Sequence, residues 1–102
     1  MIPLIQERLD QLKVLCSIHQ VSYLGLFGSA AREDFDNNSD LDFLVTFSDS
    51  VELLEYANNY FDLLEKLEVL FNRDIDLVSS KTIKNPILKE EIEKNLVNLY
   101  ES

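Results

Sequence analysis

A two-layer α+β fold, a small mixed sheet of about three strands packed with helices, is what this chain predicts. Three observations carry that expectation. Three short apolar runs, at 21–27, 41–47 and 74–79, have the length and the aromatic and branched content of strands. Longer stretches around them repeat apolar residues at helical spacing. The 102 residues are 46% hydrophobic and 27% charged, which fits one globular domain, 1–102, rather than a disordered chain.

The elements follow in order. Ile5, Leu9, Leu12 and Cys16 predict an amphipathic helix over 4–19. The first strand, 21–27, runs into Gly28-Ser29, and a short helix is expected over 30–35. Asn37-Asn38-Ser39 turns the chain into the second strand, 41–47. The connection between these strands is short, so they should run antiparallel. Asp49 with Glu52 three residues on reads as a capping box. It opens a long helix through Leu53, Tyr60, Leu64, Leu67 and Phe71, with Asn72 as a left-handed stop. The third strand is 74–79. Asn85 then caps a last helix with Pro86 in its first position and Leu88, Ile92, Leu96 and Leu99 on one face.

Composition excludes several function classes. Nine basic against nineteen acidic residues give a net charge of −10, the wrong sign for gripping a nucleic-acid backbone. That balance suits a basic protein partner instead. Cys16 is alone, which removes a disulfide framework or thiolate zinc site, and it reads as a small core residue. No apolar run nears the ~18 residues of a membrane span and no signal pattern opens the chain, so a cytoplasmic protein is expected. His19 reads as a helix C-terminal cation. Tyr56, Tyr60 and Phe61 fit either core or a partner-facing stripe, and Tyr100 peripheral packing.

The chemistry concentrates between residues 28 and 42. Gly28 lacks a Cβ, so a ligand can approach the backbone, and a helix starting at Ala30-Ala31-Arg32 would offer N–H groups to an anion beside the Ser29 hydroxyl. Asp40 and Asp42, two apart on a strand, send both carboxylates to one face. At about 5 Å they would repel by roughly 3 kcal/mol at an effective dielectric of about 20. A hard cation such as Mg²⁺, shared with substrate phosphates, relieves that repulsion. Asp76, between Ile75 and Leu77, faces opposite to both and is a third carboxylate; Asp74 rivals it. An EF-hand reading of Asp34, Asp36, Asn38, Asp40 and Asp42 fails, because Ser39 and Val45 stand where Gly and Glu are needed.

Gly28-Ser29, Asp40-Leu41-Asp42 and Ile75-Asp76-Leu77 together resemble the minimal nucleotidyltransferase (MNT) domain of the DNA polymerase β superfamily. The resemblance covers nearly the whole chain, and Glu33 departs from it where Gly is common. It implies a polymerase-β-like nucleotidyltransferase core. Gly28, Ser29 and Arg32 would then serve the nucleotide, and Asp40, Asp42 and Asp76 would be catalytic and bind Mg²⁺ or Mn²⁺. Solitary acidic MNT proteins are often antitoxins, which implies AMP transfer from ATP to a tyrosine of a basic, helical HEPN ribonuclease toxin in a hetero-oligomer. Two alternatives stay open: neutralisation by binding alone, and nucleotidyl transfer to a small cationic molecule of the aminoglycoside type.

Overall fold

The computed structural model describes residues 2–32, 36 and 38–102. Its helices are α1 (Pro3–Glu7), α2 (Leu9–Ile18), α3 (Gly28–Ala31), α4 (Leu53–Phe71) and α5 (Pro86–Glu93). Its strands are β1 (Val21–Phe27), β2 (Leu41–Phe47), β3 (Ile75–Ser79) and β4 (Val97–Glu101). A 3₁₀ turn at Ser80–Thr82 follows β3. The expected Glu33 departure, part of the helix over 30–35 and Asn37 of the turn lie outside the described residues.

The strands form one mixed sheet in the order β3-β2-β1-β4. β1 pairs antiparallel with both β2 and β4. β2 and β3 run parallel, joined by α4, because parallel neighbours need a long crossover where antiparallel ones need only a turn. Alternation organises β2, with Leu44 on its second face buried as well. Leu41, Phe43, Val45 and Phe47 are all but fully buried, and with Leu24 and Leu26 of β1 they make the core. Leu12 and Cys16 of α2 and Leu63, Leu67 and Phe71 of α4 close that core from one side. Burial pushes the Cys16 thiol up to about 12, so it stays an inert thiol.

Four expectations need correction. The first helix is two, broken at Arg8, where ψ is 12°. The break displaces no apolar residue: Ile5, Leu12 and Cys16 all reach the core. The capping box does not form: Glu52 is the N-cap of α4 and makes no side-chain cap bond. Ser48 instead holds the preceding turn, its carbonyl accepting from Val51 N–H at 3.1 Å. The last helix stops at Glu93, and its expected final turn is β4. Leu96 and Leu99 match a helical period, yet β4 covers an edge of β1 that three strands would leave open, and that pairing prevails. Finally, α3 begins at Gly28, two residues early.

Other elements stand as expected. Asn72 ends α4 at φ 50°, ψ 48°, and the Asn85 side chain accepts from Ile87 N–H at 2.9 Å. His19 caps α2 but is also buried; Nδ1 donates to the Leu15 carbonyl at 2.8 Å and Nε2 meets Asp62 of α4 at 2.5 Å. It ties two helices together rather than facing solvent. Among the described residues no helix is long and apolar enough to cross a membrane.

Candidate active site

The register of the sheet puts three residues on one rung: Phe27 at the end of β1, Asp42 on β2 and Asp76 on β3. Neighbouring strands lie about 4.8 Å apart, and residues on one rung share a face. Asp42 and Asp76 therefore leave the sheet side by side, on the face opposite Phe43 and Leu77. The apolar alternation of two strands is what delivers two acids to one place.

Gly28 follows immediately, at φ 73°, the left-handed region that favours glycine. A Cβ built there would collide with the Asp42 carboxylate. The missing side chain thus serves a turn and a close approach at once. Since α3 starts at Gly28, the N–H groups without an intrahelical partner are those of its first turn, including Ser29 and Ala30. Arg32 ends that turn, its N–H donating to the Gly28 carbonyl at 3.2 Å.

Electrostatics knit the acids together. Asp42 is pushed up to about 6, first by burial, then by the charges of Asp76 and Asp40; Arg32 pulls the other way. Asp40 is exposed and precedes the strand rather than lying in it, since β2 begins at Leu41. Its segment is held from two sides. Arg73 Nη1 donates to the Ser39 carbonyl at 3.0 Å, and Leu41 N–H donates to the Asp74 carbonyl at 3.3 Å. Asp36 Oδ1 accepts from Asn38 N–H at 2.8 Å, forming the turn before it. Arg73 escaped the sequence reading, though a lone cation directly before Asp74 and Asp76 was the signal available.

The donors are all carboxylate oxygens, which suit a hard divalent ion, and the raised Asp42 registers burial first and then the repulsion from Asp76 and Asp40 that such an ion relieves. Among the described residues, however, no three acidic, histidine or cysteine side chains are gathered into a ready-made metal cage. Asp42 and Asp76 are brought together by the sheet; Asp40 joins them through its charge.

Comparison with known proteins bears on the family and the fold. A Methanocaldococcus jannaschii protein with the provisional name protein adenylyltransferase is 34% identical over 87 residues, covering 83% of each chain. A toxin–antitoxin structure solved with AMP-PNP superposes with a TM-score of 0.71 at 21% identity, over 92% of this chain and 73% of that one. A Shewanella oneidensis MNT antitoxin, solved in complex with a tri-AMPylated HEPN toxin, gives 0.66 at 19% identity, over 95% and 72%. At those identities both structures speak to the fold. Residues 10–102 match the family model described as polymerase beta, nucleotidyltransferase, and the chain belongs to that nucleotidyltransferase family.

Proposed function

We propose that the chain is a Mg²⁺- or Mn²⁺-dependent protein adenylyltransferase. It transfers AMP from ATP to a tyrosine of a basic, helical HEPN-type toxin and so acts as the toxin's antitoxin. The observation that carries this reading is the rung of Asp42 and Asp76 set against the side-chain-free Gly28. The adenylyltransferase name of the Methanocaldococcus jannaschii relative and the AMPylated toxin of the Shewanella complex support it.

Each residue has a task. Gly28 leaves room for the triphosphate against the backbone, and Ser29 and the first-turn N–H groups of α3 donate to its oxygens. Arg32 adds positive charge on the same side. Asp40, Asp42 and Asp76 would hold the divalent ion. When bound, that ion supplies counter-charge to the phosphates and to the charge developing at the α-phosphorus. The tyrosine oxygen attacks the α-phosphorus while the bond from that phosphorus to the bridging oxygen breaks. Pyrophosphate leaves with the bonding electrons, and Asp76 takes the phenolic proton. The net charge of −10 favours association with a basic partner.

The test is direct. Partner incubated with the chain, ATP and Mg²⁺ should gain AMP-sized mass increments on tyrosine. Ser29→Ala should slow the transfer by about 1.5–3 kcal/mol, the worth of a hydrogen bond to a charged group. Asp40→Ala with Asp42→Ala should stop it. If that double variant still neutralises the toxin fully while no partner molecule carries AMP, catalysis is not the mechanism and binding alone suffices.

A further inference from the structure

The end of the sheet away from Gly28, Asp42 and Asp76 carries exposed charge of both signs. β2 and β3 run parallel, so both finish there, at Phe47 and Ser79. The helix after each strand starts at that end and runs back. α4 returns the chain to Ile75 beside Leu41, and α5 leads to Val97 beside Leu26, both next to the acids. The first turns of α4 and α5 therefore open on one end of the molecule.

Each of these starts shows two large apolar side chains to solvent. Leu53 and Leu54 of α4 are 86% and 75% exposed, and Ile87 and Leu88 of α5 are 72% and 50% exposed. Their charged neighbours differ in sign. Exposed Asp49, Glu52 and Glu55 flank the α4 leucines, and exposed Lys81, Lys84 and Lys89 flank the α5 pair. Residues 80–89 contain those three lysines and no acid, a local reversal in a chain of net charge −10. The two groups adjoin. Lys81 Nζ lies 5.5 Å from the ring centre of Tyr56, whose N–H donates to the Glu52 carbonyl at 2.8 Å. Ile87 follows Lys81 by at most about 22 Å of chain. Both groups thus fit on one interface of standard size, about 800 Å² per partner.

These charges do not neutralise one another within the chain. Among the described residues, none of the three lysines and none of the three acids forms a salt bridge. A uniformly acidic or uniformly basic partner would meet like charge at one of the two groups. A second copy, turned by half a turn, meets opposite charge at both. The two-fold axis sets the α4 group of each copy against the α5 group of the other, twice over. Leu53 and Leu54 then face Ile87 and Leu88, between rows of opposite charge.

We infer that this end of the sheet is a self-complementary interface through which two copies of the chain form a two-fold dimer. The Asp42–Asp76 rungs lie at the outer ends of that dimer, one on each copy.

Sedimentation equilibrium of the full chain at about 150 mM salt, where charges more than about 8 Å apart are screened, tests it. The wild type should pass from monomer to dimer with rising concentration and go no further. Glu52→Lys with Glu55→Lys makes both groups basic, and Lys84→Glu with Lys89→Glu makes both acidic. Each variant alone should raise the dimer dissociation constant at least about a hundredfold, because like charges meet at both contacts. An equimolar mixture of the two should restore a one-to-one dimer. Leu54→Ala with Ile87→Ala trims only exposed side chains, so it folds whatever the charge variants do. It should weaken the dimer at least about tenfold, since a two-fold interface counts every substitution twice. All three variants should match the wild type's rise in melting temperature with ATP and Mg²⁺, the acid rung being at the other end. A wild type that stays monomeric up to about 1 mM overturns the inference. So does growth beyond two copies, which marks a head-to-tail contact, and so does a dimer untouched by Leu54→Ala with Ile87→Ala. A nucleotide response lost together with the dimer would place the contact at the acids and overturn it too.

Discussion

The two faces of β2 are made by alternate residues of one strand and do opposite work. The inner face, Leu41, Phe43, Val45 and Phe47, is buried against helices and stabilises the chain. The outer face begins with Asp42, beside Asp76 and within the field of Asp40, and there the strand carries repulsion rather than cohesion. A site of this kind costs stability where it stands and relies on the opposite face to offset it. Seven residues are enough for both tasks because a strand needs only every second side chain for packing.

The comparison breaks most sharply from the inner face. Phe43 is fully buried and its ring centre lies 5.9 Å from that of Phe71. Phe43→Ala should cost about 3–5 kcal/mol, read by denaturant unfolding, with the cavity adding to the lost transfer energy. A loss below about 1 kcal/mol would mean that this face is not the stabilising one.

Gly28→Ala tests the join between the faces. It should cost about 2 kcal/mol from left-handed strain alone, and the Cβ should push Asp42 off its position. Unfolding measures the first effect, and loss of the ATP–Mg²⁺ rise in melting temperature the second. A variant that keeps both stability and nucleotide response would show that the close approach is unimportant.

Asp42→Asn sharpens the comparison because the outer face should gain what the inner face cannot. The carboxyl goes from an ordinary value of 3.8 to about 6 in the fold, so the folded chain holds this proton more tightly than the unfolded one. That preference favours folding fully below about 4 and is lost as pH rises through about 6. The variant should therefore match wild type near pH 3 and exceed it at pH 8. The gain should be about 1 kcal/mol once solvent screening of a half-exposed group is allowed for. Equal stability at pH 8 would remove the repulsion from the account.

The smallest effect lies far from the site. Hydrogen bonds from His19 and then Lys66 hold the Asp62 carboxyl below its usual range. This contribution is present above the unfolded carboxylate value and disappears as pH falls through the lowered folded one. His19→Gln should flatten that acid limb of the stability profile while leaving nucleotide response unchanged. An acid limb identical to wild type would show that the contact contributes nothing.

Much of the architecture is legible in the residues because the signals are local. Asn72 and the Asn85-Pro86 pair mark helix ends through backbone preferences that tertiary structure does not override here. The strands show themselves as short apolar runs, and Asp42 and Asp76 stand out by interrupting them. What escapes is decided at a distance. Leu88, Ile92, Leu96 and Leu99 satisfy a helical period, while Val97 to Glu101 becomes strand because β1 has an edge to cover. Arg73 is one more cation in sequence and a brace for the Asp40 segment only in the fold. The extra role of Gly28 needs the register of β1 and β2, which no spacing alone provides.

The parallel pairing of β2 with β3 has a consequence for how the molecule comes into being. Asp42 and Asp76 lie on opposite sides of the α4 crossover, so no hairpin or single helix can bring them together during folding. Contacts of such wide sequence separation form slowly, after loop-closure entropy has been met. An incomplete chain emerging from the ribosome can hold β1, α3 and β2 with Asp42 in place and still lack half of its acid pair. On the proposed roles of Asp42 and Asp76, nucleotide chemistry would begin only once β3 has joined β2, which would make activity a report that the long crossover has closed.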